Sequence, residues 1–122
     1  MTSQQKSNVK FDLEERTLKF AKQIIHVCQD LPANTVNFKL IDQLIRSAGS
    51  IGANYREAND ALGKKDFAQR LRISRKEAKE TIFWLELVVE ANLKFKERIA
   101  PLIDECSQLR NILSAIIKKI SV

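Results

Sequence analysis

Four stretches of this chain repeat their apolar residues in steps of three and four, and almost nothing interrupts them. Steps of that size collect side chains on one face of a helix, whereas a half-buried strand alternates at every second residue. Three glycines and two prolines are spread over 122 residues, and Gly49 and Gly52 fall inside one of the periodic stretches. A sandwich or barrel needs a turn signal roughly every 8–12 residues, so the pattern predicts helices. With 44% hydrophobic and 30% charged residues, the chain has enough apolar material for one core and fits a single domain.

Residues 1–9 are polar and read as a flexible arm, leaving 10–122 as the folded domain. The first helix carries Phe11, Leu18, Ala21, Ile25 and Cys28 on its seam, widened by Phe20, Ile24 and Val27. Asp12, Glu14 and Glu15 suit the positive end of its dipole, and Pro32 ends it. A second helix, starting near Asn37, has the seam Ile41, Leu44, Ala48, Ile51, Tyr55 and Ala58, with Leu40 and Ile45 beside it. Its run of small residues from Ser47 to Ala53 includes two internal glycines, each costing about 1 kcal/mol relative to alanine. A neighbouring helix packing closely against them explains that cost better than a kink does.

Gly63 punctuates the next connection. The third helix runs from about Lys65 to Ala91 on the seam Phe67, Leu71, Ser74, Ala78, Thr81, Leu85 and Val88. A second row, Ile73, Trp84, Leu87 and Ala91, exceeds what one seam requires. Ile73, Trp84 and Leu87 therefore suit a subunit interface, or else complete the monomer core. After a connection over residues 92–98, Pro101 is expected in the first turn of a fourth helix. Its seam is Ile99, Leu102, Cys106, Leu109, Leu113, Ile116 and Ile120, broadened by Ile103, Ile112 and Ile117. Short connections force antiparallel neighbours. The prediction is an all-α, antiparallel, up-and-down four-helix bundle.

Catalysis at neutral pH needs a positioned base, nucleophile or metal, and the chain offers little. His26 is the only histidine, and flanked by Ile25 and Val27 it reads as a structural residue at the edge of the bundle. Cys28 and Cys106 lie on apolar seams, as inert reduced thiols do. Metal-binding spacings and glycine-rich nucleotide loops are absent. Glu57, Glu77, Glu80, Glu86 and Glu90 read as solvated helix surface. The expectation is a protein without catalytic residues, metal, cofactor or small-molecule substrate. Neither a signal peptide nor a membrane span is evident, and the expected location is the cytoplasm.

Charge is distributed unevenly. Lys64, Lys65, Arg70, Arg72, Arg75, Lys76 and Lys79 meet only Asp66 and Glu77 within sixteen residues, so this segment carries +5 of the chain's net +6. At about 100° per residue, Arg72, Lys76 and Lys79 share a face, with Lys65 in line and Arg75 alongside. Such a stripe suits phosphates and steeply salt-dependent binding; it also suits an ordinary solvated helix. No aromatic interleaves the stripe, so contacts to backbone or RNA shape are expected rather than base stacking. RNA or another nucleic acid is the leading partner, and a scaffolding module that binds only protein is the alternative.

The stretch from Leu44 to Ala58, LIRSAGSIGANYREA, closely resembles the four-helix-bundle proteins encoded in intervening sequences of 23S rRNA genes. Lys64-Lys65-Asp66-Phe67, Ile73, Lys76-Glu77-Ala78-Lys79-Glu80-Thr81 and Trp84-Leu85-Glu86-Leu87 continue the likeness in order, from roughly Phe11 to Ile120. The resemblance implies a homopentameric ring of bundles without known enzymatic activity. The chain is also similar, less closely, to the accessory proteins of diversity-generating retroelements, which bind nucleic acid through basic surfaces. It departs from many relatives at Gly52, where they carry proline, and at Ala58-Asn59-Asp60, where they continue with glycine. Both departures bear on the length of the second helix.

Overall fold

The computed structural model describes residues 3–120, which form four helices: α1 (Ser3–Asp30), α2 (Thr35–Asn59), α3 (Lys64–Ala91) and α4 (Lys96–Ile120). A 3-10 turn, Leu93–Phe95, precedes α4. Each helix packs on two neighbours in a ring, α2 on α3 most extensively and α1 on α4 least. This is the antiparallel up-and-down bundle. Residues 3–9, expected as an arm, continue α1 in the backbone; Gln4, Gln5 and Lys6 are good helix formers and nothing breaks the run. Residues 1 and 2 lie outside the described residues, as does the side chain of Phe11.

The seams of α2 and α3 hold as expected, with Leu44, Ala48, Ile51, Tyr55, Leu71, Ala78, Leu85 and Val88 all buried. The seam of α1 is rotated. Leu13, Thr17, Phe20, Ile24, Val27 and Leu31 face the core, while Leu18 and Ile25 are 43% and 40% exposed. The buried set alternates steps of four and three without a break, and Thr17 hides in it because its hydroxyl bonds back to the Leu13 carbonyl at 2.9 Å. Ile45 on α2 is likewise exposed, and the last turn of α4 buries Ile117 rather than Ile116 or Ile120.

The small residues of α2 serve two neighbours. Ser47 and Ala48 face inward, where Thr81 donates to Ser47 Oγ (2.9 Å) and Ser74 donates to the Ile51 carbonyl (2.7 Å). Gly52 faces α1, where a Cβ would meet Thr17 Oγ1 at 2.8 Å. Gly49 has open space around it, so close packing accounts for one glycine and not the other. The helix runs unbroken through Gly52 to Asn59. Gly63, with φ of 110°, opens α3 in a backbone conformation that favours glycine.

Polar contacts fix the ends. Asn34 caps α2 by accepting from the Asn37 N–H (2.8 Å). Asn37 and Asn92 exchange amide hydrogen bonds of 2.9 and 2.8 Å, joining the start of α2 to the end of α3. Arg16 reaches Glu105 through two 2.7 Å hydrogen bonds, pinning the sparsely packed α1–α4 pair; this pairing raises the guanidinium pKa further. Arg98 meets Asp30 at 2.7 Å across the same pair. Pro101 sits at the sixth position of α4, not in its first turn, because the helix starts earlier, directly after the 3-10 turn.

Candidate nucleic-acid interface

The local charge of α3 resolves into three groups once the helix is docked. Its core seam packs toward α2 and α4, so the residues half a turn away point straight out. Arg72, Lys76 and Lys79 occupy that outward line and are exposed, with Lys65 in line near the N-terminus. Among the described residues, none of the four takes part in an ion pair. Lys64 and Lys65 fall in the first turn, where the helix dipole is already positive and basic side chains are unfavourable for helix stability. The first turn contains only Asp66 as a counterweight.

Arg70 and Arg75 do not belong to the outward line. Arg70 lies on the flank facing α2, half-buried, with Nη1 3.5 Å from Asn54 Oδ1 and Nε 4.0 Å from Asp66. Arg75, also half-buried, lies toward α4. A run of bases in sequence thus becomes a narrower stripe in space, because successive residues are about 100° apart around the helix.

No aromatic stands between the bases of the stripe, but Phe83 follows it one turn on. Positions 72, 76, 79 and 83 form one continuous row of the helix surface, on which Phe83 is 54% exposed, and the row runs on through the exposed Glu86 and Glu90, so its charge changes sign at the ring. Its ring meets Trp84 edge-on, with centroids 5.1 Å apart and planes at 76°. The signal was present in the sequence as the four-residue step from Lys79 to Phe83, four residues past the basic run. Trp84 itself packs partly against the core, Ile73 is half-buried, and Leu87 is 37% exposed.

The acids of α3 are sorted as well. Glu77, expected on solvated surface, is buried at 7% exposure. Arg46 of α2 clamps it, donating from Nη1 to Glu77 at 3.1 Å and from Nη2 to Glu80 at 3.0 Å. These bonds, that to Glu80 foremost, raise the Arg46 pKa. The pairing ties both carboxylates to α2, with Glu80 still beside Lys79 in the groove wall. Sequence reasoning missed it because the partners stand on different helices. Glu57, Glu86 and Glu90 are exposed as expected. An open groove lined by Gln43, Arg46, Lys79, Glu80, Phe83 and Trp84 runs beside the row.

Other chemistry is weakly provided for. His26 is exposed. Cys28 and Cys106 are free and buried, their thiols pushed up to about 11 and about 12 by desolvation, which suppresses the nucleophilic thiolate. Among the described residues, no three histidines, cysteines or carboxylates cluster as a metal site, and no helix is long and apolar enough to cross a membrane.

Comparison with known proteins agrees with this architecture. No curated protein matches the chain. A solved structure from Bacteroides thetaiotaomicron, described as a protein of unknown function from the S23 ribosomal protein family, superposes with a TM-score of 0.81 at 33% identity. The match covers 89% of this chain and 97% of that one. The family model described as 23S rRNA-intervening sequence protein matches residues 10–115, nearly the whole bundle. The chain belongs to the 23S rRNA-intervening sequence protein family.

Proposed function

We propose that this protein is a non-enzymatic, homo-oligomeric bundle of the cytoplasm that binds RNA or another nucleic acid through the outward face of α3. The observation that carries the reading is the exposed row Arg72, Lys76 and Lys79, which has no ion-pair partner among the described residues. Lys64 and Lys65 extend the positive potential toward the N-terminus of the helix. Each phosphate neutralised by such a row releases counterions, a favourable term needing no base recognition. Buried thiols without a disulfide suit a reducing compartment.

Self-association is supported by apolar surface that the monomer leaves uncovered. Leu18 and Ile25 on α1, with Phe38 and Ile45 on α2, are between 39% and 58% exposed. Ile73, Trp84 and Leu87 offer a second contact on the other side of α2. A pentameric ring, as the family resemblance implies, would repeat the cationic row and add avidity. The same apolar surface favours a second reading, a scaffold that binds a partner protein and no nucleic acid.

Titration against a structured RNA tests the first reading. Replacing Arg72, Lys76 and Lys79 together by Ala should abolish most of the affinity; unchanged binding would remove the proposal. Light scattering of Trp84→Ala and of Leu18→Glu/Ile25→Glu tests assembly, and the parent chain eluting as a monomer would contradict it. A partner protein retained after nuclease treatment, with no RNA bound, would establish the second reading.

A further inference from the structure

We infer that Phe83 is a stacking platform for an unpaired nucleobase, so that the ligand of the α3 face is a single-stranded segment rather than a continuous duplex. This rests on the reading of that face as a nucleic-acid surface. Phe83 stands opposite the core seam, where a bundle has no packing use for a phenyl ring, yet it is 54% exposed. Trp84 meets it in a T-shaped contact, centroids 5.1 Å apart, and among the described residues no other ring packs on it. From Arg72 to Phe83 the row spans about 16 Å along the helix, with cations at three positions and the ring at the fourth. A ligand that satisfies such a row carries closely spaced negative charges and flat π-faces on one chain, which describes a nucleotide strand. In a duplex those faces are already stacked, so only loops, bulges and free strands can present one. The adjoining groove is lined in part by Gln43, whose amide offers a base edge both a donor and an acceptor. Arg46 pairs with Glu77 and Glu80, which limits their repulsion of phosphates, and the exposed Glu86 and Glu90 beyond the ring confine the strand's phosphates to the Arg72–Lys79 side.

The test uses the full oligomeric chain with two probes, a uridine oligonucleotide and a blunt-ended RNA duplex of equal nucleotide count. Trp84, the only tryptophan, reports base stacking on its neighbour by fluorescence quenching. Phe83→Ala and Phe83→Leu should each weaken single-strand binding on the order of tenfold or more, abolish the quenching and leave the salt slope and the duplex affinity unchanged. Phe83→Tyr should bind as the parent does. Full single-strand affinity in both Phe83→Ala and Phe83→Leu would overturn the inference. Equal losses for duplex and single strand would do the same. So would a pattern in which Phe83→Leu restores binding and assembly that Phe83→Ala loses, since that marks an apolar subunit contact. Binding lost in the Arg72, Lys76 and Lys79 triple variant but retained in the Phe83 variants would leave the electrostatic reading standing and this one refuted; binding unaffected by the triple variant would refute both.

Discussion

Gly52 of α2 and Thr17 of α1 approach so closely that a Cβ on the glycine would lie 2.8 Å from the threonine Oγ1 and 3.1 Å from its Cβ. That hydroxyl is not free to swing away, being 2.9 Å from the Leu13 carbonyl and 3.0 Å from that of Glu14. Gly52→Ala therefore has to separate two packed helices or break those bonds. Overpacking of this kind costs about 1–3 kcal/mol, against a gain of about 1 kcal/mol in helix propensity. Gly49→Ala meets only open space and should be neutral or stabilising by up to about 1 kcal/mol. Urea melts of the two variants should move in opposite directions.

The amide pair Asn37–Asn92 should behave as a unit. Each is buried, and each also donates to a carbonyl, Asn37 to Pro32 and Asn92 to Val88. Replacing one by Leu strands the other's amide out of water, at about 1–3 kcal/mol. The double replacement should cost less than the sum of the two single ones, as a thermal-melt double-mutant cycle would show.

Glu77 depends on Arg46. Its side chain is only 9% exposed, while Arg46 remains 51% exposed. Arg46→Ala should lower stability by about 1–3 kcal/mol, because a largely desolvated carboxylate loses its cation. Adding Glu77→Gln should restore part of the loss. Chemical denaturation of the two variants checks both signs.

The buried thiols set an alkaline limit. Folding holds Cys28 and Cys106 protonated up to about 11 and about 12, against an ordinary value near 9. Above that ordinary value the unfolded chain gives up these protons first, so it binds fewer protons than the native state and stability falls as pH rises. Their contribution is intact below about pH 9 and declines from there through about pH 11 to 12. Burial raises the Tyr55 pKa and acts in the same direction. In Cys106→Ala the fall of stability between pH 9 and 11 should be shallower than in the parent.

The bundle was legible because three of four seams are written in residues that are apolar and buried alike: Leu44, Leu71, Leu85, Leu109 and Leu113 sit where periodicity puts them. The register of α1 was not, because the polar Thr17 interrupts the buried row while Leu18 and Ile25, which face outward, offer a second apolar row at the same helical spacing. The cationic row was legible at Arg72, Lys76 and Lys79, since helical angle depends only on sequence separation. The same arithmetic places Phe83 in that row, but it falls outside the basic run that drew notice. What could not be read is pairwise and long-range. Arg46 with Glu77, Arg16 with Glu105, and Asn37 with Asn92 meet only after the helices dock, and no local pattern announces them.

The most direct measurement is the salt dependence of RNA affinity for the parent and for the Arg72, Lys76 and Lys79 triple-alanine variant. The parent should show a steep linear fall of log K with log salt, and the variant a slope reduced by roughly two to three, near one unit per lost phosphate contact. A parent affinity indifferent to salt, or identical slopes in the two proteins, would contradict the assignment of the outward face of α3 as the nucleic-acid surface.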